Sequence, residues 1–77
     1  MQHGKLIKLV ENEIERMDLD YLKRAHLLLQ SDLWSANRSL DSRKYMEPDL
    51  IAVLEAERDR IQRAIEKIGT QCQKLTC

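Results

Sequence analysis

The fold is decided by residues 41–48, which read Asp-Ser-Arg-Lys-Tyr-Met-Glu-Pro and separate two long stretches of helical character. Aspartate and serine side chains compete for the hydrogen bonds of a helix, and a proline pushes the residue before it out of the α region. Proline is also favoured at the first position of a helix, where its missing N–H costs nothing. We therefore predict a turn over about residues 41–47 and a new helix that begins at Pro48.

The residues before this turn carry apolar side chains at helical spacing from Leu6 onwards. The spacings are three or four residues, and neither Gly nor Pro occurs between residues 5 and 47. The one interruption is Asp18-Leu19-Asp20, where either aspartate is a suitable N-cap for a new helix. The pattern favours an N-terminal helical segment over about residues 5–17 and a long helix over 19–40, with a single continuous helix as the alternative.

The residues after the turn predict one more long helix. Its apolar stripe runs to Ile68, and Gly69 is suited to the left-handed cap that often ends a helix. We therefore predict a helix over residues 48–68 and a polar tail over 69–77. That tail holds both cysteines, Cys72 and Cys77, which we interpret as free thiols on a frayed end.

A short connection makes two long helices antiparallel. The predicted fold is thus an all-α helical hairpin of roughly 30 Å, with residues 5–17 as a third helical segment, in a single domain. The predicted hairpin core consists of the apolar residues that face the seam between the two long helices. They are Leu22, Ala25, Leu29, Leu33, Ala36, Leu40, Leu50, Leu54, Ile61, Ile65 and Ile68.

The charge pattern bears on the class of partner. Thirteen basic residues balance thirteen acidic ones, and the two signs alternate along the chain. Nucleic acids and anionic membranes are bound by clustered Lys and Arg, so we expect neither as a partner. No apolar run approaches the roughly 20 residues that span a bilayer, and the N-terminus lacks the pattern of a signal peptide. A cytoplasmic protein is expected.

The sequence offers little for catalysis. His3 and His26 are the only histidines, and the carboxylates alternate with basic residues as on a solvated helix face. There is no glycine-rich phosphate loop, and no group of about four ligands such as zinc requires. We expect no enzymatic activity, no catalytic residue, no cofactor and no metal.

The long helix over 19–40 has more apolar side chains than the seam of a hairpin needs. Leu27 and Trp34 share a face that is rotated by about 100° from the seam, and Leu28 and Tyr21 widen the apolar surface further. Either residues 5–17 fold back over this surface, or another protein chain covers it. Because a two-helix hairpin alone buries little area, we favour the second interpretation. Leu27, Trp34, Leu28 and Tyr21 are the predicted partner-binding residues.

The stretch from Tyr21 to Ile68 resembles a known family. Leu29, Leu33, Ala36 and Leu40 precede the turn, and Pro48 and the run Leu50-Ile51-Ala52-Val53-Leu54-Glu55-Ala56 follow it. This layout is similar to that of the small co-chaperones of bacterial type III secretion needle subunits, the YscE-type family. The resemblance implies a cytoplasmic protein of a Gram-negative bacterium that binds a larger helical-repeat chaperone, so that the pair keeps the needle subunit unpolymerised. The family has no catalytic residues.

Two other protein-binding functions agree with the same pattern. The chain could pair with a second copy of itself as a homodimeric four-helix bundle that acts as a small regulator. It could instead be a subunit of a larger helical complex. A long parallel coiled coil is disfavoured, because Glu57 and the turn interrupt the heptad pattern.

Overall fold

The computed structural model describes residues 4–76, apart from the side chain of Arg43. Helix α1 spans Gly4–Glu13, α2 spans Leu19–Leu40 and α3 spans Pro48–Thr76. One turn of 3-10 helix, Ile14–Arg16, follows α1, and another, Arg43–Tyr45, lies in the turn between α2 and α3. The residues described contain no strand. The predicted all-α hairpin with an additional N-terminal helix is confirmed.

The junction between α1 and α2 is set by local hydrogen bonds. Met17 takes an extended backbone conformation, and its N–H donates to the carbonyl oxygen of Ile14 at 3.1 Å. Asp18 is the N-cap of α2, where its Oδ1 accepts a hydrogen bond from the backbone N–H of Tyr21 at 2.7 Å. This bond satisfies one of the free N–H groups at the start of the helix. Of the two candidate aspartates, Asp18 is therefore the one that caps.

The C-terminal part of the chain differs from the prediction. Helix α3 continues past Gly69 to Thr76, so the prediction of a polar tail is wrong for residues 69–76. Gly69 does not have a positive φ, and it is an interior helical residue instead of a left-handed cap. The continuation has a physical basis, because Cys72, which follows Gly69 by about one helical turn, packs against the hydrophobic core. Tertiary packing there outweighs the roughly 1 kcal/mol by which glycine disfavours a helix.

The thiol of Cys72 also has a different environment from the one predicted. Cys72 is a free cysteine on α3, half-buried and packed against the hydrophobic core. It is therefore a packing residue and does not belong to a frayed end. Cys77 and His3 lie outside the described residues.

The core is a continuous cluster of aliphatic side chains from all three helices. Its buried members are Ile7, Val10, Ile14, Leu22, Ala25, Leu29, Ile61, Ala64 and Ile68, and Leu33 and Ile65 pack against it while partly exposed. Leu40, next to the turn, is buried apart from this cluster. Ala36 and Leu54 are half-buried. Leu50, which we predicted to lie in the core, is 48% exposed, because it lies in the first turn of α3, beyond the main cluster.

Helix α1 folds back along the hairpin and packs mainly against α3. Its 10 residues correspond to about 15 Å of helix, whereas the molecule is 45 Å long and 17–18 Å across. Helix α1 is thus too short to cover the whole hairpin. We call residues 4–33 and 57–76 the covered half, because its core contains α1 side chains, and residues 34–56 the turn half.

Candidate partner-binding surface

The most exposed apolar side chains of α2 lie on its far side from the hairpin seam. Leu27 is 67% exposed and Trp34 is 62% exposed. At about 100° per residue, both lie roughly 150° around α2 from the buried Leu29. The two residues are one heptad apart and so lie on one line along the helix. We call this line, with the polar residues that flank it, the outer face.

The indole ring of Trp34 makes a cation–π contact with a residue of its own helix. The guanidinium carbon of Arg38 lies 5.2 Å from the centre of the Trp34 ring, one helical turn further on. This distance is within the range of a cation–π interaction, which contributes about 0.5–1 kcal/mol at an exposed site. Arg38 therefore restricts the indole while leaving most of its surface in solvent.

An open, mainly apolar hollow lies beside Leu27. It has a volume of about 390 Å³ and is lined by Lys23, His26, Leu27, Gly69 and Cys72. The backbone of Gly69 forms the bottom of this hollow. The space above it is open, because no atom lies within 4 Å of the position that a Cβ would occupy. A hollow bounded by residues of two neighbouring helices has the form that accepts a side chain from a third helix.

Tyr21 and Leu28 lie on a different surface from Leu27 and Trp34. They are 42% and 47% exposed, and they are rotated by about 100° from the outer face, towards α1. Tyr21 lines a cavity of about 220 Å³ together with residues of α1 and of the junction that follows it, including Leu9 and Met17. The structure therefore divides the four predicted partner-binding residues between two surfaces.

The structure also exposes apolar residues that we did not predict as a surface. Leu50 and Val53 are 48% and 55% exposed at the start of α3, and Tyr45 in the turn is 81% exposed. Their helical spacing resembles that of the core residues, so periodicity alone cannot distinguish them. The length of α1 could have indicated that these residues are exposed. A helix of about 10 residues cannot extend along the whole of a hairpin whose helices are at least twice as long.

Of the two interpretations of the surplus apolar surface, the structure bears on the fold-back of the N-terminal segment, and coverage by another protein chain stays a prediction. Residues 4–16 do fold back, and Ile7, Val10 and Ile14 are buried in the core. They do not cover the outer face, where Leu27 and Trp34 remain exposed. The N-terminal segment completes the core of the covered half and leaves the outer face exposed.

Three hydrogen bonds join Glu11 of α1 to two residues of α3. Both carboxylate oxygens of Glu11 accept hydrogen bonds from Arg60, at 2.8 Å from Nη2 and 3.3 Å from Nε. The backbone carbonyl oxygen of Glu11 accepts a further bond from Lys67 Nζ at 2.8 Å. The hydrogen bond from Arg60 is the main reason that the pKa of Glu11 is lowered, with the charges of Arg60 and Lys67 adding to it and desolvation opposing it. The same bond raises the pKa of Arg60.

Every buried residue among those described is apolar, and the described residues hold no group of three or more His, Cys, Asp or Glu side chains that could bind a metal ion. Between residues 4 and 76, no helix is sufficiently long and apolar to cross a membrane. The most exposed apolar side chains of α2 are Leu27 and Trp34, which lie on one line along the helix.

Comparison with known proteins adds no family assignment. No protein-family model, curated protein or solved structure has a significant match to this chain.

Proposed function

We propose that this protein is a non-enzymatic protein-binding module that uses the outer face of α2 to bind a partner. The observation that supports this most directly is the exposure of Leu27 and Trp34, at 67% and 62%, on a helix whose opposite side buries Leu22, Ala25 and Leu29. Tryptophan is over-represented among the residues that dominate binding energy. The Arg38 stack reduces the freedom that the indole must lose on binding, and this loss is one of the costs of association.

We further propose a specific role as a co-chaperone of a type III secretion needle subunit, acting in the cytoplasm together with a larger helical chaperone. The support is the resemblance to the YscE-type family. The helical hairpin, the short N-terminal helix that precedes it and the proline at the first position of α3 agree with that layout. An exposed apolar face on α2 would then pack against the helices of the larger chaperone.

Co-purification tests this proposal. The chain would be co-expressed with a needle subunit and a helical-repeat chaperone from a type III secretion system, and the complex would be isolated through a tag on the chaperone. Wild-type chain should be retained, and Trp34→Ala should weaken binding by about 2 kcal/mol, or roughly 30-fold. Tyr45→Ala is the matched control, because it removes a more exposed aromatic ring outside the outer face. No retention of the wild-type chain would contradict the co-chaperone role.

The alternative is a homodimeric small regulator, or a subunit of a larger helical complex. One observation favours the homodimer among these. The outer face contains both a protruding indole and, beside Leu27, a hollow that could receive one. A surface of this kind can be complementary to itself, as a two-fold symmetric interface must be.

A further inference from the structure

We infer that the outer face of α2 binds a second copy of the same chain, with Trp34 of each copy inserted in the hollow beside Leu27 of the other. This inference rests on the proposed function, because it assigns an occupant to the same surface. The resulting dimer would hide Trp34 until a heterologous partner displaces the second copy. The outer face would thus be regulated by self-association.

The first support is the arrangement of the protruding side chain and the hollow along α2. Trp34 and Leu27 are seven residues apart, which corresponds to about 10.5 Å along the helix axis. In an antiparallel pair of α2 helices related by a two-fold axis between residues 30 and 31, position 27 of one copy lies opposite position 34 of the other. Both indoles then reach a hollow at once, and neither is left in solvent.

The second support is the size and lining of the hollow. Its volume of about 390 Å³ accommodates an indole, and its walls include the apolar side chains of Leu27 and Cys72. The open position above Gly69 allows the ring to approach the backbone of α3 closely. Two residues at the rim suit an aromatic ring. The imidazole of His26 can pack against the edge of the ring, and the ammonium group of Lys23 can make a cation–π interaction with its face.

The third support is the order of charges on the outer face. Asp20, Lys23, Arg38 and Asp41 are all exposed, and they flank the Leu27–Trp34 line symmetrically. In the antiparallel pair, Lys23 is level with Arg38 of the second copy and Asp20 is level with Asp41. Each of these charges also has one of opposite sign within about one helical turn, because Asp41 of the second copy lies near Lys23 and Arg38 of the second copy lies near Asp20. The apolar centre is then closed at each end by two acidic and two basic groups. Such a charged rim contributes to orientation more than to affinity.

Sedimentation equilibrium of the isolated chain in reducing agent tests the inference. Wild type should be a dimer that dissociates on dilution, and Trp34→Ala should raise the dimer dissociation constant about 30-fold. Gly69→Leu fills the hollow and also favours the helix, so it should weaken the dimer while the thermal midpoint of the monomer stays the same or rises. Tyr45→Ala is the control and should leave the dissociation constant unchanged.

Disulfide trapping tests the proposed orientation in a Cys72→Ala, Cys77→Ala background that is first shown to dimerise. Gln30→Cys lies next to the two-fold axis and should form a covalent dimer on mild oxidation. Ser35→Cys is also exposed but lies on another side of α2, so it should remain monomeric on denaturing gels. Trapping through Ser35→Cys in preference to Gln30→Cys would overturn the arrangement.

Failure of this inference and failure of the proposed function give different results. A chain that stays monomeric up to millimolar concentration overturns the dimer. The same holds if neither Trp34→Ala nor Gly69→Leu weakens self-association. If such a chain still loses its co-purified chaperone on Trp34→Ala, the proposed function stands without the dimer.

Discussion

The two halves of the hairpin have similar apolar patterns but very different burial. In the covered half, Leu29 of α2 and Ile61 of α3 are 0% and 2% exposed. In the turn half, Leu40 of α2 is buried next to the turn, but Leu50 and Val53 of α3 are about half exposed. The difference is the third helix, because α1 adds Ile7, Val10 and Ile14 to the core of the covered half and does not reach the turn half. Two antiparallel helices bury only the side chains along the line where they meet. The third helix is needed here to bury a larger cluster.

This comparison indicates where stability and binding are located in a very small protein. Chains of this length bury only about 60% of the surface that the unfolded chain exposes, so one well-packed region has to supply most of the stability. The covered half has that region. The outer face and the turn half can then expose apolar side chains, because the fold does not depend on burying them.

Truncating one leucine in each half should give the largest contrast. Leu29→Ala should lower the free energy of unfolding by about 2–5 kcal/mol, because it leaves a cavity in a fully buried site. Leu50→Ala removes the same atoms from a half-exposed site and should cost less than about 1 kcal/mol. Urea unfolding followed by circular dichroism measures both values. Equal losses would show that the turn half is as well packed as the covered half.

A matched pair of valines tests the contribution of α1 more directly. Val10→Thr places a hydroxyl group in the core at a site that is 0% exposed, and it should cost about 1–3 kcal/mol. Val53→Thr makes the same change at a site that is 55% exposed and should alter stability by no more than about 0.5 kcal/mol. The same urea titration applies. A negligible effect at Val10 would mean that α1 is not docked in solution.

Substitution of Gly69 distinguishes an interior helical residue from a helix cap. Because its φ is not positive and the space for a Cβ is open, Gly69→Ala should raise the thermal midpoint and stabilise the protein by up to about 1 kcal/mol. A left-handed cap would instead be destabilised by alanine. A lower thermal midpoint for Gly69→Ala would therefore show that α3 ends near residue 68 and that its last two turns do not extend the covered half.

The smallest expected effect is the pH dependence of the contact between Glu11 and Arg60. Because the pKa of Glu11 is lowered in the folded protein, the contact stabilises the fold above the pKa of the unfolded chain and is lost as the pH falls through the folded value. Both side chains are more than a third exposed, so solvent screening keeps the effect small.

Comparison of Glu11→Gln with wild type measures this effect. Wild type should have the higher urea midpoint at pH 7, and the difference should shrink below about pH 4 as the carboxylate is protonated. Glu66→Gln, an exposed carboxylate elsewhere on α3, is the control. No difference at pH 7 would instead assign the role of Glu11 to its backbone contact with Lys67, which the substitution leaves intact.

The boundaries of the helices near strong local signals were predictable. Asp18 caps α2 through its own side chain, and Pro48 starts α3, because capping and proline effects act within a few residues along the chain. The exposed outer face could also be predicted from the phase of Leu27 and Trp34 relative to Leu29. Each of these inferences needs only the geometry of one helix.

The remaining features depend on how far the helices extend past one another. Leu50 has the phase of a core residue but lies beyond the reach of α1, and Gly69 resembles a helix stop but lies beside the start of α2. Leu28 and Leu27 are adjacent in sequence, yet they belong to different surfaces because they are about 100° apart around α2, and of these surfaces only the one with Tyr21 borders α1. Periodicity defines the direction of a side chain from its helix axis but not what lies in that direction.

The sequence by itself therefore determined that this protein is all-α, that its long helices form a hairpin about residues 41–47, and that α2 has an apolar surplus. Only the tertiary structure decided which part of that surplus α1 covers, how far α3 continues, and that the outer face combines an exposed indole with a hollow. The physical reason is the distance along the sequence over which the relevant interactions act. Backbone conformation responds to neighbours within about one helical turn, whereas burial depends on residues that are distant in sequence and on the relative lengths of the elements that carry them.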